Sequence, residues 1–430
     1  MSRSRTPKKP VLQKLHEAQR TIGLAMKEQP RVVLRCGRRF GKTTLLERLA
    51  AKTAMSGGKV GWFGPRYKLN FPTYKRILRV TGPVVSSRSK IDQVIEMRGG
   101  GAVEFWTLED EDAGRSRDYD LVIVDEASLK KRGLREIWEQ SIAPTLLDRS
   151  GRAVMGGTPK GIDEENYFYS ACTDKNLGWI EYHAPTALNP TLDPAAVAKL
   201  IDEYPRLVYQ QEYLAEFVDW NGVAFFPLEH MLADGLPVPY PERTGQIYAV
   251  IDTALKDGQE HDGTAVVYFA REKYFQPRLI VLDWDIIQVE GALLESWLPS
   301  VYSRMNQLSD LCHAREGVLG SFIEDKASGI VLLQQAKKKQ LRAFALPAEI
   351  TALGKEGRAL SVSGYFHRGE IKLSQFAFDK VVRFKGVQKN HFISQLCGFR
   401  MGDTDNKRAD DLADCGMYGA AIGCGNARGF

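Results

Sequence analysis

Long apolar runs are the first thing that this chain of 430 residues lacks. None reaches the about 18 consecutive apolar residues that a membrane-spanning helix needs. The basic opening MSRSRTPKKP is not followed by an apolar stretch, so we expect no signal peptide. Six cysteines occur without any C-x-x-C pair, which argues against a zinc site. These absences indicate a globular protein of the reducing cytosol with no membrane partner.

A large excess of charge of one sign is also missing. The formal net charge is +6, which permits a nucleic-acid partner without demonstrating one. No repeat of fixed period and no low-complexity tract is visible, and 43% hydrophobic residues suffice for buried cores. At 430 residues, the chain is expected to form two domains rather than one.

The first part of the chain alternates short apolar runs with helical stretches, which is typical of an α/β domain with a largely parallel sheet. The predicted strands are RVVLRC (31–36), KVGWFGP (59–65), AVEFWT (102–107), DLVIVDEA (120–127) and GRAVMGGTP (151–159). Proline- and turn-rich stretches then flank one helical piece, YPRLVYQQEYLAEFV. We therefore predict a first domain over residues 1–185 and a small subdomain with a linker over residues 186–245.

A different order of elements begins near residue 246. Three strands that read as a meander are followed by a helix, a strand, a second helix, another strand and a last helix from about residue 410. The predicted strands cover residues 247–255, 263–271, 278–289, 321–327 and 342–347. Three antiparallel strands followed by α-β-α-β-α is the order of a ribonuclease-H-like sheet, so we predict such a domain over residues 246–430.

The strict phosphate-loop pattern G-x-x-x-x-G-K-[ST] lacks its first glycine in RVVLRCGRRFGKTTLLERLA, where Cys36 takes that position and Gly37 follows. A glycine-lined turn from a strand into a helix presents N–H groups and the positive end of the helix dipole to phosphate oxygens. Lys42 would then reach the β- and γ-phosphates of ATP, and Thr43 would give its hydroxyl to Mg²⁺. The alternative is a Gly41-Lys42-Thr43 triplet that only caps a helix.

Two carboxylates end the apolar strand in LVIVDEAS. Asp125 would hold Mg²⁺ through its water shell, and Glu126 would act as general base or orient the attacking water. Thr158, in GGTPKG at the end of the next strand, would lie beside the γ-phosphate and sense hydrolysis. The alternatives are two solvated acids at a strand end and a plain turn around Thr158.

Acidic residues recur in the second half, where a ribonuclease-H-like fold holds two divalent metals about 4 Å apart. They are Asp252 in the first strand, Glu324 and Asp325 after the fourth, Asp410, Asp411 and Asp414 at the last helix, and Asp257 and Asp262 behind the first strand. The 411 and 414 carboxylates can point at one metal, since these positions share a helix face. Oxygen ligands suit Mg²⁺ or Mn²⁺. The alternatives are acids that only cap helices and, behind the first strand, turn residues.

The phosphate loop, the carboxylate strand and GGTPKG (156–161), in this order and spacing, resemble the large terminase subunit of tailed bacteriophages, the motor that packages viral DNA. The resemblance extends over nearly the whole chain. In that family the first glycine of the loop is often displaced and an arginine precedes G-K-T, as in CGRRFGKT here. The resemblance implies an ATP site formed by Gln19, Gly37, Arg38, Arg39, Gly41, Lys42, Thr43, Thr44, Tyr67, Asp125 and Thr158.

The resemblance also implies individual roles in that site. Gln19 would read the adenine, with a surface glutamine on a helix as the alternative, and Tyr67 would lie near the base. Either Arg38 or Arg39 would contact phosphate in cis. Arg115 would be the arginine finger that reaches the ATP of a neighbouring subunit and stabilises charge on the transferring phosphoryl group, with an exposed loop arginine as the alternative.

Two further stretches, NP at 189–190 and QQEYLAEF at 210–217, resemble the small lid subdomain of the family. The expected fold class is thus an ASCE-type P-loop ATPase domain with a parallel-rich sheet and a lid, followed by the ribonuclease-H-like nuclease domain.

The nuclease half of the resemblance implies that Asp252, Asp325, Asp411 and Asp414 are the catalytic metal ligands. Glu324 in place of Asp325 and Asp410 in place of Asp411 remain alternatives. GKEGRALSVSGYFHRGEIKL (354–373) resembles the loop that the family carries between the fifth strand and the last helix. Its cations would meet DNA phosphates or form a solvated face, namely Lys355, Arg358, Arg368 and Lys372.

By this resemblance the protein would pump double-stranded DNA into a procapsid with ATP and cut concatemeric DNA with Mg²⁺ or Mn²⁺. Its partners would be a portal protein, a small terminase subunit and further copies in a ring, five by analogy, with a monomer in solution as the alternative. It would act in the cytoplasm of the infected bacterium and at the portal. The rival functions are a helicase or repair ATPase fused to a resolvase-like nuclease, and a non-catalytic assembly protein.

Overall fold

Short apolar runs separated by helices build two sheets, one in each half of the chain. The computed structural model describes residues 10–220, 223, 225–253, 263–287, 294–325, 328–400 and 410–425. The chain divides into two compact units: the first runs to Ile201 and includes Arg206–Asp219, and the second comprises Asp202–Pro205 and the chain from Trp220 onwards. The predicted domain boundaries after residues 185 and 245 stay a prediction.

The sheet of the first unit has eight strands in the order β3-β4-β5-β2-β6-β7-β1-β8. The strands are β1 (Arg31–Cys36), β2 (Lys59–Gly64), β3 (Val85–Ser89), β4 (Val94–Met97), β5 (Ala102–Thr107), β6 (Leu121–Val124), β7 (Arg152–Gly157) and β8 (Ile180–Ala184). Neighbouring strands pair in parallel along the series β5-β2-β6-β7-β1-β8. Strands β3 and β4 pair antiparallel and extend the sheet beyond β5. Strand β7 lies between β1 and β6, so the phosphate loop and the Asp125 strand flank it, as in ASCE-type sheets.

The helices of the first unit cover both faces of this sheet. They are α1 (Glu17–Ala25), α2 (Lys42–Met55), α3 (Tyr67–Thr81), α4 (Leu134–Ile137), α5 (Tyr167–Thr173), α6 (Pro194–Glu203) and α7 (Arg206–Glu212). Two hydrophobic clusters result, one containing Leu46 and Trp62, the other Val122 and Trp138. All four residues of β6 are buried, because a strand covered on both faces reads as a continuous apolar run.

The sheet of the second unit has the strand order β13-β12-β9-β10-β11-β14. The strands of this unit, including a separate hairpin of the last two, are β9 (Gln246–Thr253), β10 (Thr264–Arg271), β11 (Leu279–Ile287), β12 (Val318–Ile323), β13 (Ala343–Ala345), β14 (Ile371–Leu373), β15 (Val382–Phe384) and β16 (Val387–Lys389). Strands β9, β10 and β11 form the antiparallel meander, and β12 and β13 add in parallel beyond β9. This is the predicted ribonuclease-H-like order.

The helices of the second unit pack on this sheet and on each other. They are α8 (Leu294–Leu311), α9 (Ser328–Lys338), α10 (Ala348–Thr351), α11 (Gly354–His367), α12 (Gln375–Asp379), α13 (His391–Cys397) and α14 (Asp411–Cys424). None of the helices in the described ranges combines the length and the apolar character needed to cross a bilayer.

Two predictions about local structure were wrong. The stretch 354–373 is not a loop, because it forms helix α11 and strand β14. Ala359, Leu360, Val362 and Phe366 give α11 a buried face, but the glycines and serines between them weakened the apolar pattern in the sequence. The single helical piece predicted around residues 204–218 is helix α7, which ends at Glu212 and is followed by irregular chain.

Candidate nucleotide site and candidate nuclease site

The turn from β1 into α2 has the conformation of a phosphate loop. Gly41 stands at the helix N-cap with φ +98°, in the left-handed region that favours glycine. A Cβ there would lie 2.5 Å from Nε2 of Gln19, so this amide would have to shift in addition to the strain in the backbone. Lys42 is the first residue of α2, and its backbone N–H lies at the positive end of the helix.

The displaced glycine has a steric explanation. A Cβ on Gly37 would lie 2.4 Å from the carbonyl oxygen of Tyr213 and 2.7 Å from Oγ1 of Thr186. The N–H of Gly37 donates to the carbonyl of Ala184 at 2.9 Å. Glycine is needed here because backbone from residues 184–186 and 213 crosses the loop, whereas the preceding Cys36 is buried in the sheet. Burial raises the pKa of the Cys36 thiol to about 12.

Lys42 meets both carboxylates of the following motif. Its ammonium hydrogen-bonds to Asp125 and lies 2.9 Å from Oε1 of Glu126. Burial works against its charge, but the two carboxylates hold the pKa of Lys42 above its usual range. Burial raises the pKa of Asp125. At Glu126 burial acts in the same direction, but the charge and hydrogen bond of Lys42, together with the charges of Lys160 and Arg38, lower its pKa. The solvated-acid alternative is wrong for Asp125, which is buried against Lys42, whereas the binding role of the Gly41-Lys42-Thr43 triplet stays a prediction.

Strand β7 also lies against the side chain of Lys42. A Cβ on Gly156 would lie 3.0 Å from Cδ of Lys42, so the carboxyl end of β7 passes directly against the lysine stem. Thr158 follows immediately and is buried rather than placed on an open turn. Thr43 and Thr44 are half-buried in the first turn of α2. The hydroxyl of Thr43 and the carboxylate of Asp125 are oxygen donors of the kind that Mg²⁺ prefers.

Gln19 is buried beneath the loop, so the surface-glutamine alternative is wrong. Its Nε2 donates to the carbonyl of Gly41 at 2.8 Å, and its Oε1 accepts from the N–H of His16 at 3.0 Å. The predicted adenine-reading residue therefore contacts the loop itself through its amide. Its role toward the base stays a prediction.

The two arginines of the loop differ in their surroundings. The Arg38 guanidinium pairs with Glu212, and its backbone N–H donates to the Glu212 carbonyl at 2.7 Å. Arg39 has φ +63° and an exposed side chain, and its carbonyl accepts from Nδ2 of Asn189 at 2.7 Å. The NP and QQEYLAEF stretches thus both contact the phosphate loop.

Tyr67 and Arg115 lie on the surface of the first unit. Tyr67 begins α3, is 48% exposed, and its hydroxyl donates to the carbonyls of Lys90 and Ile91. Arg115 Nε donates to Oγ of Ser141 at 3.2 Å and the guanidinium pairs with Asp112, leaving half of the side chain exposed. An exposed position is compatible with contact to a neighbouring subunit, and both roles stay predictions.

The acidic residues of the second unit gather where β9, β12 and α14 meet. Asp252 lies near the end of β9, Glu324 directly follows β12, and Asp411 and Asp414 occupy the first turn of α14. Burial, followed by the negative charges of Asp414, Asp411 and Glu324, holds the pKa of Asp252 well above its usual range. The charges of Asp411, Asp414 and Glu324 thus act on Asp252, whereas Asp325, the predicted ligand after β12, is exposed, and the ligand set as a whole stays a prediction.

The structure favours Glu324 over Asp325 as the acid from β12. Glu324 is half-buried and its charge acts on Asp252, whereas Asp325 is exposed. Asp410 does not cap α14 through its side chain, so the capping alternative is wrong for it, and its carboxylate pairs with Lys355 instead. Asp257 and Asp262 lie outside the described residues.

Two cations that the sequence assigned to a DNA-contacting loop stand inside this acidic cluster. The Arg358 guanidinium is buried, hydrogen-bonds to Asp414 and lies 3.8 Å from the ring centre of Tyr418. Lys355 lies 3.9 Å from Oδ2 of Asp414. The DNA-contacting interpretation of Arg358 is wrong, because the guanidinium faces α14. The signal in the sequence was the apolar spacing of α11, which places Arg358 on its buried face.

The remaining two cations of this stretch also have partners within the unit. Arg368 pairs with Glu370, and Lys372 donates to the carbonyls of His230 and Leu232. Neither is therefore a plain solvated cation.

The acidic cluster is a candidate metal site by its donor chemistry. In the described ranges, no three His, Cys, Asp or Glu side chains are grouped so that they could hold a metal ion. The donor chemistry nevertheless fits Mg²⁺ or Mn²⁺, since the cluster consists of carboxylates whose mutual repulsion a cation would relieve. The Arg358 guanidinium already hydrogen-bonds to Oδ1 of Asp414, so a metal at this carboxylate would share it with the guanidinium.

Comparison with known proteins gave matches in sequence and in fold. No protein-family model matches the chain. The curated large terminase subunit of Escherichia phage T5 is 25% identical over 201 residues, 45% of this chain and 46% of that protein. The match thus spans about half the length of that relative.

Among solved structures, the large terminase of a thermophilic bacteriophage gives a TM-score of 0.65 at 13% identity and covers 95% of this chain and 99% of that one. The same phage protein in complex with ATP-γ-S gives a TM-score of 0.64 at 13% identity, covering 92% of this chain and 94% of that one. These matches confirm the predicted resemblance to large terminase subunits and the predicted fold class of a P-loop domain followed by a ribonuclease-H-like domain.

Proposed function

We propose that this chain, which resembles large terminase subunits in sequence and fold, is an ATP-driven motor that moves double-stranded viral DNA into a procapsid and cuts it. One observation carries the proposal. A complete phosphate-loop group, Lys42 with Asp125 and Glu126, stands in one unit, and an acidic cluster on a ribonuclease-H-like sheet stands in the other. A motor that both pumps and cuts needs these two sites.

In the nucleotide site, Lys42 changes partners when ATP binds. Its ammonium leaves Asp125 and Glu126 for the phosphates, which frees the two carboxylates for their own work. Thr43 and Asp125 would hold Mg²⁺, which neutralises charge that develops on the phosphate oxygens. Glu126 orients or deprotonates the attacking water, Thr158 senses the γ-phosphate, and Arg115 of a neighbouring subunit stabilises the transferring group.

In the nuclease site, carboxylates of Asp252, Asp411, Asp414 and one of Glu324 or Asp325 would hold Mg²⁺ or Mn²⁺. A metal held there would supply a water nucleophile and stabilise the leaving oxygen of the phosphodiester. The Arg358 guanidinium competes for Asp414 and thereby lowers the metal affinity. This competition restrains cutting until both a metal and DNA are in place.

The proposed partners follow from this activity and from the resemblance. They are double-stranded DNA, a portal protein on the procapsid, a small terminase subunit, and further copies of the chain in a ring of five by analogy. The place of action is the cytoplasm of an infected bacterium, and the portal during packaging. An exposed Arg115 supports assembly through neighbouring nucleotide sites.

Nicking of supercoiled plasmid by the full chain tests the nuclease half of the proposal. We expect nicking with Mn²⁺ or Mg²⁺, none with EDTA, and none from the Asp252→Ala variant. Arg383→Ala, at an exposed position of β15, is the matched control and should nick like the wild type. Failure of folded wild-type protein to nick with either metal would remove the nuclease from the proposal.

Stimulation of ATP hydrolysis separates the packaging motor from the helicase or repair ATPase. We expect procapsids carrying portal to stimulate hydrolysis beyond the effect of DNA alone. Stimulation by DNA with no added effect of procapsids would favour the rival function.

A further inference from the structure

Arg358 brings a buried positive charge into the acidic cluster of the second unit. Its side chain is only 5% exposed, and its Nη2 donates to Oδ1 of Asp414. The guanidinium carbon lies 3.8 Å from the ring centre of Tyr418, one turn further along α14. Because Asp414 holds one edge of the guanidinium and Tyr418 covers its face, the cation is fixed from two sides.

The guanidinium lies near acids from two different elements. Burial disfavours its charge, but Asp414 of α14 and Asp252 of β9 are among the groups that hold the pKa of Arg358 above its usual range. In return, Arg358 is a positive charge that acts against burial and the other acids on the pKa of Asp252. The cation thus acts on the strand acid and on the helix acid together.

A second cation of α11 faces the other oxygen of Asp414. Nζ of Lys355 lies 3.9 Å from Oδ2 of Asp414 and also pairs with Asp410. Each carboxylate oxygen of Asp414 therefore has a positively charged side chain beside it. A divalent ion shared by Asp252 and Asp414 would stand close to the guanidinium, where like charges repel.

This arrangement differs from a nuclease site with two ions. Such sites place two divalent ions about 4 Å apart and hold them with carboxylates. Here a guanidinium stands beside Asp414 and acts on Asp252. Arginine keeps its charge and is more weakly hydrated than an ammonium group, which suits it to a buried position among carboxylates. Since one or two carboxylates commonly suffice to hold Mg²⁺, the cluster has ligands for one ion without displacing Arg358.

We propose that the Arg358 guanidinium takes the place of one of two divalent ions, so that the nuclease site holds a single Mg²⁺ or Mn²⁺ beside a built-in cation. The inference rests on the proposed nuclease site and adds the number of ions that it takes and the residue that sets this number. Arg358 is a positioning residue here, since it holds Asp414 and supplies a fixed charge to the cluster. The arrangement with two ions that the sequence suggested then does not apply to this chain.

Electron paramagnetic resonance of the full chain titrated with Mn²⁺, without DNA or nucleotide, counts the ions. Ions that the Asp252→Ala variant still binds lie outside the cluster and are subtracted. We expect the wild type to bind about one Mn²⁺ in the cluster, with the spectrum of an isolated ion. Two bound ions, with the spin-coupled spectrum that a separation of about 4 Å produces, would overturn the proposal.

The Arg358→Met variant tests the role of the charge. Methionine keeps an apolar stem against Tyr418 but removes the cation, so we expect about two Mn²⁺ per cluster and a spin-coupled spectrum. Arg358→Lys returns a positive charge to the position and should return the number to about one. Circular dichroism verifies that both variants fold. A folded Arg358→Met protein that still binds one ion would overturn the proposal.

The metal dependence of plasmid nicking extends the test to the site with DNA bound. At limiting Mn²⁺, the logarithm of the nicking rate should rise with the logarithm of the Mn²⁺ concentration with a slope of about 1 for the wild type. Arg358→Lys should keep that slope. A wild-type slope of about 2 would show that a second ion enters with DNA and would overturn the proposal.

Arg304→Met is the matched control. Arg304 is likewise paired with a buried aspartate, Asp283, and its guanidinium lies over an aromatic ring, that of Phe376. Its described hydrogen bonds and ion pairs include none of the acids of the cluster. Arg304→Met should therefore bind as many ions as the wild type. A second ion in both methionine variants would assign the effect to general loosening and overturn the specific role of Arg358.

The two levels of the proposal fail in different ways. If the folded wild type binds no ion that Asp252→Ala loses, the proposed metal site fails and the role of Arg358 fails with it. If the wild type binds two such ions, or if Arg358→Met still binds one, only the role of Arg358 fails.

Discussion

Single residues in the phosphate loop are constrained by different neighbours. Gly41 is required by its left-handed backbone and by the Gln19 amide, whereas Gly37 is required by the backbone of another segment that passes over it. A sequence motif records both positions only as glycine. A substitution at Gly37 disturbs the packing of residues 184–186 and 213 against the loop. A substitution at Gly41 disturbs the phosphate-binding turn itself.

Gly37→Ala should therefore destabilise the first unit. The new Cβ would meet the Tyr213 carbonyl at 2.4 Å and Thr186 at 2.7 Å, so backbone has to move. We expect a loss of about 1–3 kcal/mol in the free energy of unfolding, measured by urea denaturation. Gly82→Ala is the control, since a Cβ there meets nothing within 4 Å and its φ is −40°. Equal effects of the two substitutions would contradict the steric explanation.

Glu212 should also make stability depend on pH. Its pKa in the folded protein is lowered to about 2 from an ordinary value of 4.5, so its contribution is present above pH 4.5 and is lost as the pH falls toward about 2. The difference of the two pKa values corresponds to about 3 kcal/mol at neutral pH. In urea unfolding, wild type should exceed Glu212→Gln in stability at neutral pH, and the gap should narrow between about pH 5 and about pH 3. A gap that widens on acidification would contradict the assignment.

At the scale of elements, the packing of α11 on α14 decides what the acidic cluster can do. Helix α14 carries Asp411 and Asp414 in its first turn, and α11 brings Arg358 against them. A buried guanidinium beside carboxylates stabilises the two helices but also occupies a ligand of the proposed metal. The contact between Arg358 and Asp414 therefore affects both the stability of the second unit and the availability of Asp414 as a metal ligand.

Arg358→Ala should weaken this packing. The substitution leaves Asp414 without its hydrogen-bonding cation and removes the stacking on Tyr418, which together cost about 3–5 kcal/mol in a buried pair. Thermal unfolding followed by circular dichroism measures the loss, with exposed Arg383→Ala as control. Added Mg²⁺ should restore part of the stability by neutralising the freed carboxylate. An Arg358→Ala variant as stable as the control would mean that the ion pair contributes nothing.

At the scale of the whole molecule, the two sites belong to separate compact units. The phosphate-loop group lies in the first unit and the acidic cluster in the second, each built on its own sheet. Because each set of side chains belongs to one unit, we expect that the two proposed activities can be removed independently.

Lys42→Ala should abolish ATP hydrolysis while leaving metal-dependent plasmid nicking largely intact. The lysine contacts Asp125 and Glu126 in the first unit, and none of the nuclease acids takes part in those described contacts. Phosphate release and nicking are measured on the same preparation, with circular dichroism to verify folding. Loss of both activities in a folded Lys42→Ala protein would show that cutting depends on the nucleotide site.

The sequence by itself determined the framework and the local motifs. Strands β1 and β5 were predicted to the residue, because buried strands and glycine turns leave local patterns. The antiparallel meander of the second half was also predicted, but strands β3, β4 and β8 of the first half were missed. The loop, the Asp125–Glu126 pair and the acids of α14 are local in sequence and were found for that reason. Helix α11 was missed because glycine and serine obscured its apolar face.

Only the tertiary structure decided which distant charges meet. Nothing near Glu212 in sequence indicates that it binds Arg38 and Lys160, and nothing near Arg358 indicates that it faces Asp414. The preference for Glu324 over Asp325 likewise depends on which side of the chain after β12 faces Asp252. Such contacts join residues that are far apart along the chain. The residues that flank an acidic or basic side chain in the sequence do not indicate which charged residue it will pair with.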